Sequence, residues 1–507
     1  MHSPPSSRLP RASGILLHPT SLPGPHGSGD LGPAAYHFVE WLATAGQTWW
    51  QMLPLGPVGP GHSPYMSPSA FAGNPLLVDL GELRERGWLD DGDLQVDGGF
   101  PVHRIDFDAV LPWRLERLRL AAARFDERAS ADERADFAAF RRHHAHWLDD
   151  YALFMALDEL HGHVPWSEWP APLATREIRA LAQAAQAQAR QVAFWEFGQW
   201  CFFRQWKRLR EYAAGRGVRL IGDVPIFVSY QSADVWAHPD LFELDAAGRQ
   251  TTVAGVPPDL FSPTGQHWGN PLYRWAAHAR DGYAWWTRRV RHTFELVDLA
   301  RIDHFRGFVA YWEIPADAGT AAAGRWRPGP GESLFEAITE ALGPLPIVAE
   351  DLGVITPDVD ALRRKLGYPG MCVLQFAWGQ PDGAANRYLP HRHESATVCF
   401  SGTHDNDTAI GWWSVQGEDV RDHLRRYLAD DGNDIAWTLI RTAFASVADT
   451  AIVPMQDVLR LGGEHRMNFP GTATGNWGWR FAWDDVGPWP AQGLRLYAAT
   501  YGRLPAA

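Results

Sequence analysis

Eight short apolar runs, spread over the 507 residues of the chain, constrain its fold more than any other feature. Most of them end in polar or acidic residues. Continuous apolar runs of this length are typical of strands that are buried on both faces, as in a parallel sheet. The runs therefore predict eight parallel strands, which begin near Gly14, Trp49, Val218, Leu296, Pro346, Met371, Ala396 and Thr450.

Helical patterns separate several of these predicted strands, for example "PDVDALRRKLG" after the fifth and "DVRDHLRRYLADDG" before the eighth. Eight strand–helix units indicate an α/β protein built as a (β/α)8 barrel, the TIM barrel, whose functional sites lie at the carboxyl ends of the strands. A doubly wound sheet is the alternative. No G-x-G-x-x-G follows a strand, and eight is the barrel number, so the barrel is favoured.

Two connections are much longer than a normal strand–helix unit. Residues 81–212, between the second and third strands, have helical periodicity and predict a helical insertion subdomain. Residues 229–285, between the third and fourth strands, are rich in Gly, Pro, Asp and aromatic residues and predict a long ordered loop subdomain over the barrel mouth. We expect residues 1–507 to form a single catalytic barrel unit with no separate C-terminal β domain.

Charge and hydrophobicity exclude several classes of partner. The formal net charge of −13 argues against nucleic acids and anionic membrane surfaces, which attract basic patches. No run of 18 apolar residues is present, so no membrane span is predicted. The N-terminal segment lacks the apolar core of a secretory signal. These features predict a soluble, cytoplasmic protein.

Cysteine and tryptophan usage adds two expectations. Cys201, Cys372 and Cys399 are few and scattered, which predicts buried free thiols in a reducing compartment and neither disulfides nor a zinc site. The chain contains 26 tryptophans. Indole rings fill cores, but they also stack on the apolar faces of sugars, so a minority of these residues are candidates for a sugar-binding cleft.

Acidic residues stand at the ends of three predicted strands, in "RIDHF", "AEDLG" and "GTHDND". Asp303 ends the fourth strand, Glu350 and Asp351 end the fifth, and Asp405 follows the seventh. Strand ends that are distant in sequence meet at one barrel mouth. Two carboxylates that flank a glycosidic bond are the minimum for acid/base glycosyl chemistry, and a close pair implies a retaining mechanism with a covalent intermediate.

Neighbouring residues predict how the roles divide. Arg301 lies two positions before Asp303, so strand alternation places both side chains on one side. A cation there is expected to lower the pKa of Asp303, as suits a nucleophile. Glu350 follows an apolar run with no base nearby in the sequence. An apolar setting is expected to raise its pKa, as suits a general acid.

Each motif also has an ordinary structural interpretation. A single Asp at a strand end is most often a helix N-cap or an ion-pair partner. The "THDNDT" segment fits an Asx turn or, less well, a metal cluster. Three acids at three barrel strand ends, two of them beside Arg or His, are harder to explain structurally when taken together.

The ordered motifs resemble the amylomaltases, which are 4-α-glucanotransferases or disproportionating enzymes related to the α-amylases. The resemblance covers nearly the whole chain and rests on "GILLHPTSLPGPHGSGDLG", "SPYMSPSAFAGNPLLVDL", "GDVPIFVSYQSADVW", "PPDLFSPTGQHWGNPLY", "RIDHFRGF", "AEDLG", "GTHDNDT" and "EHRMNFPG". It implies transfer of an α-1,4-glucan segment from a donor to the 4-hydroxyl of glucose or a maltooligosaccharide, with no metal and no organic cofactor.

The same resemblance implies roles for individual residues. Asp303 matches the nucleophile, Glu350 the general acid/base, and Asp405 the third carboxylate, which binds sugar hydroxyls. The substrate-binding positions that it implies are Arg301, His404, Asp223, Tyr65, Asp259, Gln266, Trp268, Asn270 and Asn468.

This chain departs from the family pattern in a few places. Arg392 and His393 stand where Asn and Tyr are usual, and Cys399-Phe400-Ser401 stands where Val-Tyr-Thr is commoner. Met66 replaces a frequent Gln. None of these changes removes a carboxylate. Two alternatives to the transferase remain: an α-1,4-glucan hydrolase on the same barrel, and a non-catalytic glucan-binding protein. A metal-dependent hydrolase is disfavoured because no His-rich ligand set is evident.

Overall fold

The computed structural model describes residues 8–258, 264–379 and 383–505. Within these residues the chain forms strands and helices in the alternation that the sequence predicts. The strands are β1 Ala12–Leu16, β2 Trp49–Gln51, β3 Arg219–Val224, β4 Thr252–Val256, β5 Gln266–Pro271, β6 Leu299–Ile302, β7 Ala310–Pro315, β8 Arg325–Pro328, β9 Ile347–Ala349, β10 Gly370–Val373, β11 Thr397–Phe400 and β12 Thr450–Pro454.

Seventeen α-helices lie within the described ranges. They are α1 Pro33–Thr44, α2 Leu80–Glu85, α3 Phe107–Arg128, α4 Ala131–Leu160, α5 Ala171–Ala174, α6 Ile178–Ala187, α7 Ala189–Gly215, α8 Ala233–Ala237, α9 Trp275–Arg280, α10 Ala284–Leu296, α11 Glu332–Leu342, α12 Pro357–Leu366, α13 Ala409–Ser414, α14 Glu418–Leu428, α15 Ile435–Ala445, α16 Met455–Val458 and α17 Pro488–Thr500. None of them combines the length and apolarity that crossing a bilayer requires.

Eight strands form the barrel wall, in the order β10-β11-β12-β1-β2-β3-β6-β9, and every pair of neighbours is parallel. These are the eight strands predicted from the apolar runs. The N–H of Ala349, at the end of β9, donates to the carbonyl oxygen of Pro369, just before β10, at 2.9 Å. This bond continues the wall across the remaining gap, so the prediction of a (β/α)8 barrel with insertions is confirmed.

The helical insertion follows β2 and is dominated by α4 and α7. A capping box starts α4, because the Ser130 side chain and the Glu133 side chain each accept from the other residue's backbone N–H. Aromatic side chains on both helices are buried between them and the barrel, including Trp147, Tyr151 and Trp206. The periodicity of these side chains predicted the helices; the limits 81–212 and 229–285 of the two subdomains remain predictions.

A second sheet lies in and after the segment predicted as a long loop. Its order is β5-β4-β7-β8, and all of its neighbours are antiparallel. The ring of Trp268, on β5, packs edge-on against the ring of His304, which follows β6, with 4.9 Å between centroids. The sheet therefore stands beside the carboxyl ends of the barrel strands, where the site residues lie.

Candidate active site

Arg301 and Asp303, on and just after β6, form one side of the mouth. The Nη2 of Arg301 lies 2.9 Å from Oδ1 of Asp303. Its Nη1 donates to both carboxylate oxygens of Asp223, on β3, at 2.7 and 2.8 Å. Arg301 is therefore shared between two carboxylates, and it is itself buried, with only 5% of its side chain exposed.

The pKa shift expected for Asp303 is wrong in direction. The sequence predicted a lowered pKa, but the pKa of Asp303 is raised from its ordinary value to about 6. Removal of the carboxyl from water is the largest cause, and the negative charges of Asp223 and Asp405 add to it against the opposing charge of Arg301. One cation faces two close anions here, so Arg301 cannot offset the burial of Asp303.

Glu350 directly follows β9 and faces the same mouth. Its Oε2 accepts from the N–H of His304 at 2.8 Å, and its Oε1 accepts from the N–H of Leu352 at 2.7 Å. The pKa of Glu350 is raised to about 7, chiefly by burial and then by the negative charge of Asp303, while Arg301 and the Leu352 N–H oppose the shift. The expectation of a raised pKa at Glu350 is confirmed.

His304 connects the two acids through its backbone. It occupies the left-handed region, with φ 51° and ψ 48°, which is uncommon for a residue with a side chain. This turn, one residue after Asp303, directs the N–H of His304 to the carboxylate of Glu350. The N–H of Asp303 donates to Val224 and the N–H of Glu350 donates to Ile302, each at 3.0 Å. The relative position of Asp303 and Glu350 is thus fixed by main-chain bonds between neighbouring strands.

Asp405 lies on the opposite side of the mouth, in the loop after β11. Its Oδ2 is 3.2 Å from Nε2 of His404, and its Oδ1 accepts from the side-chain amide of Asn468 at 2.6 Å. Partial removal from water would by itself raise the pKa of Asp405, but His404 and the Asn468 hydrogen bond bring it well below its ordinary value. In the same way, burial opposes a charged His404, yet Asp405 raises its pKa.

Tyr65 joins the two sides of the site. Its hydroxyl lies 2.8 Å from Oδ2 of Asp223 and 2.8 Å from Nε2 of His404. Since Asp223 binds Arg301 and His404 binds Asp405, a continuous polar chain runs from Asp303 across to Asp405. The structure therefore brings the three predicted carboxyls into one site. The other predicted residues there are Arg301, Asp223, Tyr65, His404 and Asn468.

The predicted residues of the long loop lie on β5 or outside the described residues. The indole N–H of Trp268 donates to the Gln266 side chain at 3.2 Å. The amide of Asn270 donates to the carbonyl oxygen of Val228 at 2.9 Å and lies 3.5 Å from the sulfur of Met66. Asn270 therefore fixes loop backbone in this structure, whereas Trp268 presents a half-buried ring near His304. Asp259 falls outside the described residues.

Sequence reasoning missed two residues that support the site. Arg466, in the "EHRMNFPG" loop, donates to the carbonyl oxygens of Asn468 and Asp405, at 2.6 and 2.5 Å. Met371, on β10, places its sulfur 3.4 Å from Nε of Arg301. The "EHRMNFPG" motif pointed to the loop but not to the function of Arg466 within it, because contacts to backbone oxygens carry no spacing signal.

The electrostatics separate the three carboxyls. The pKa of Asp303 is raised to about 6 and that of Glu350 to about 7, so Asp303 loses its proton before Glu350 does, and Asp405 stays ionised well below that range. An anionic carboxylate and a neutral carboxylic acid fixed at one barrel mouth form the pair that cleavage of a glycosidic bond requires. The fold and site thus define a barrel enzyme of the glycoside-processing class.

Comparison with known proteins identifies the family. The 4-alpha-glucanotransferase model of glycoside hydrolase family 77 matches residues 17–484. The chain is 52% identical over 504 residues to a 4-alpha-glucanotransferase of Thermus thermophilus, an alignment that covers 98% of this chain and all of that one. It is 45% identical to the chloroplastic enzyme of Arabidopsis thaliana, over 99% of this chain and 87% of that one.

A solved structure agrees with these sequence matches. The amylomaltase of Streptococcus agalactiae, in complex with acarbose, superposes with a TM-score of 0.94 at 37% identity, over 97% of this chain and 99% of that one. The protein belongs to the 4-alpha-glucanotransferase family, and the recognition made from its sequence motifs is confirmed.

Proposed function

We propose that this protein is a 4-α-glucanotransferase that transfers a segment of an α-1,4-glucan to the 4-hydroxyl of glucose or of another glucan, through a covalent glycosyl-aspartate. The observation that carries the proposal is the full-length family match, combined with Asp303 and Glu350 at one barrel mouth, where Glu350 has the higher pKa of the two. Each side chain then has one role in a retaining double displacement.

In the first half-reaction, Asp303 attacks the anomeric carbon of the donor while Glu350 gives its proton to the glycosidic oxygen. Because Arg301 holds Oδ1 of Asp303, we assign the attack to Oδ2. The carbon–oxygen bond to the leaving sugar breaks as the ester bond forms. The leaving chain departs with a neutral 4-hydroxyl, and Glu350 becomes the carboxylate.

In the second half-reaction, the acceptor's 4-hydroxyl attacks the same carbon. Glu350 takes the hydroxyl proton, the ester bond breaks and Asp303 returns as a carboxylate. Glu350 ends the cycle protonated, as it began. A raised pKa near 7 suits a group that must first give and then take a proton at neutral pH.

Asp405 serves the transition state in this proposal. Positive charge develops on the sugar ring as the bond breaks, and a fixed carboxylate stabilises it. His404 and Asn468 keep Asp405 charged and oriented. Because its side chain remains 44% exposed, Asp405 can also accept hydrogen bonds from sugar hydroxyls.

The acceptor in the proposal is a sugar and not water. The sheet that contains β4 and β5, together with the loop around Asn468, stands beside the mouth and offers Trp268 as a stacking surface. Binding a sugar acceptor there orients its hydroxyl and displaces water, and both effects favour transfer over hydrolysis. A cytoplasmic location is part of the proposal, because three buried free thiols are typical of a reducing compartment.

The test is incubation with maltotriose alone, with the product ladder and the total reducing ends both followed over time. We expect glucose and a series of longer maltooligosaccharides at a nearly constant number of reducing ends. A rising number of reducing ends without products longer than maltotriose would make water the acceptor and the protein a hydrolase. Binding without any reaction, on maltotriose and longer maltodextrins alike, would leave a glucan-binding protein.

A further inference from the structure

Two of the three cysteines meet on the barrel wall, although the sequence predicted scattered thiols. Cys372 on β10 and Cys399 on β11 are directly paired in the parallel register of these strands. Both are buried, with exposures of 4% and 0%. The third cysteine, Cys201, lies on α7 in the helical insertion.

The pair faces away from the active site. Met371 contacts Arg301 inside the barrel, so strand alternation turns the next residue, Cys372, towards the outer layer. Cys399, its register partner, points to the same side. The cluster is therefore separate from the catalytic mouth and is not used in the proposed reaction.

A histidine completes the cluster. The ligand atoms of Cys372, Cys399 and His393 all lie within 4.8 Å of one another. Nε2 of His393 is 2.9 Å from the sulfur of Cys372, and its Nδ1 is 2.7 Å from the hydroxyl of Ser446, at the end of α15. An imidazole with one nitrogen towards a thiol pair and the other on a hydroxyl has the second contact that metal-bound histidines normally make.

The geometry points to a binding site for a thiophilic cation, zinc(II), formed by Cys372, Cys399 and His393. Thiolate and imidazole are the ligands that zinc prefers, with bonds of about 2.3 Å to sulfur and about 2.0–2.1 Å to nitrogen. Tetrahedral angles then separate the ligand atoms by roughly 3.6–3.8 Å. The three atoms lie within 4.8 Å of one another here, and Nε2 of His393 and the Cys372 sulfur, now 2.9 Å apart, would move apart when the ion binds. Zinc binding releases the thiol protons and changes no oxidation state.

The fourth position falls to the carbonyl oxygen of Tyr388 or to a water. That oxygen lies 2.9 Å from Nε2 of His393 and 3.8 Å from the sulfur of Cys372. A bound ion would join β10, β11, the segment before β11 and the end of α15. Since β11 leads directly to His404 and Asp405, the ion would stabilise the strand that carries one side of the active site.

The test uses the full-length chain without an affinity tag, stripped of metal by a chelator and then titrated with cobalt(II). We expect one equivalent of cobalt to produce a thiolate-to-cobalt charge-transfer band and the visible bands of tetrahedral cobalt, and zinc to displace it. Zinc should also raise the melting temperature in proportion to the logarithm of its free concentration.

Variants separate this site from adventitious binding. Cys372→Ser, Cys399→Ser and His393→Asn should each weaken cobalt and zinc binding more than about 100-fold, and Ser446→Ala about 10-fold, as loss of an outer hydrogen bond does. Cys201→Ser is the matched control and should keep the bands. Circular dichroism and maltotriose disproportionation show whether each variant is folded.

Two results would overturn the proposal. One is a cobalt spectrum that is absent from the folded wild-type chain, or that persists unchanged in Cys372→Ser and Cys399→Ser. The other is a thiol count, in denaturant without reductant, of one per chain that returns to three after reduction. That count would show a disulfide between Cys372 and Cys399 in place of a metal site.

Discussion

Asp303 and Asp405 face the same barrel mouth, each beside a basic residue, and yet their pKa values move in opposite directions. Asp303 shares Arg301 with Asp223, and its pKa rises to about 6. Asp405 has His404 and the amide of Asn468, and its pKa falls. The protonation state of each carboxyl thus follows from its removal from water together with all the charges around it, and not from one neighbouring cation alone.

Replacing Asp303 has the largest expected effect on activity. Asp303→Asn should lower transfer from maltotriose at least about 10⁴-fold, because it removes the proposed nucleophile. The measurement is the initial rate of glucose release.

Thermal melting provides the folding control for Asp303→Asn. Between about pH 4 and pH 6, Asp303 is protonated in the folded state and ionised in the unfolded state. The stability that this group contributes therefore falls as pH rises through this range. The variant removes this cost and should melt at the same or a higher temperature at pH 8. A large drop in melting temperature would instead show that Asp303 is structural.

Replacing Glu350 has the next largest effect. Glu350→Gln should lower the maltotriose rate by about 10²–10⁴-fold through loss of the proposed general acid. A donor whose leaving group needs no proton, such as α-glucosyl fluoride, should recover the first half-reaction. Equal losses with both donors would contradict the assignment of Glu350 as the acid.

The pH profile tests both acids in the unmodified enzyme. In the proposed mechanism the active form has Asp303 ionised and Glu350 protonated, so kcat/KM should fall as pH drops below about 6 and as pH rises above about 7. Outside this window the rate should change about tenfold per pH unit. A profile that is flat from pH 5 to pH 8 would contradict the two assignments.

Replacing Asp223 tests the sharing of Arg301 directly. In Asp223→Asn, Arg301 faces one anion fewer, so the pKa of Asp303 should fall. The acidic limb of the pH profile, which is the fall of kcat/KM on its low-pH side, should then move to lower pH. Tyr65→Phe is the matched control, because it removes a hydrogen bond to Asp223 without changing the charge. An acidic limb that stays in place in Asp223→Asn, or moves equally in Tyr65→Phe, would show that the charge of Asp223 does not raise the pKa of Asp303.

Replacing Asn468 has the smallest expected effect. Asn468→Ala removes one hydrogen bond to Asp405, which corresponds to about 1 kcal/mol and roughly a fivefold loss in kcat/KM. His404 remains in place, so the acidic limb, which belongs to Asp303, should not move. A loss as large as that of Asp303→Asn would mean that the loop itself fails to fold.

Local sequence patterns predicted much of the fold. Every barrel strand coincides with a mostly apolar run, because strands that are buried on both faces favour apolar residues along their length. The long helices α4 and α7 follow from their 3.6-residue periodicity. The sheet of β4, β5, β7 and β8 was not predicted, since two of its strands precede β6 and two follow it, and antiparallel pairing over such a distance has no local signature.

The features of the candidate site likewise fall into those that the sequence predicted and those that it did not. The acids at strand ends, and Arg301 beside Asp303, could be recognised from the sequence, because a barrel brings the ends of all its strands together. The burial of Asp303 and the sharing of Arg301 with Asp223 on a neighbouring strand could not, and together they reversed the expected pKa shift of Asp303. Likewise the pairing of Cys372 with Cys399 depends on the register of β10 and β11.

Sequence patterns were enough to predict the barrel, the helical insertion, the three candidate carboxyls and the family. These rest on burial patterns and on motifs that are contiguous in the chain. Only the folded structure shows that Arg301 is shared between Asp223 and Asp303 and where the second sheet lies. It also shows that the two thiols and the imidazole lie close together. Coulomb interactions and ligand geometry depend on distances in space, and only the folded chain sets those distances.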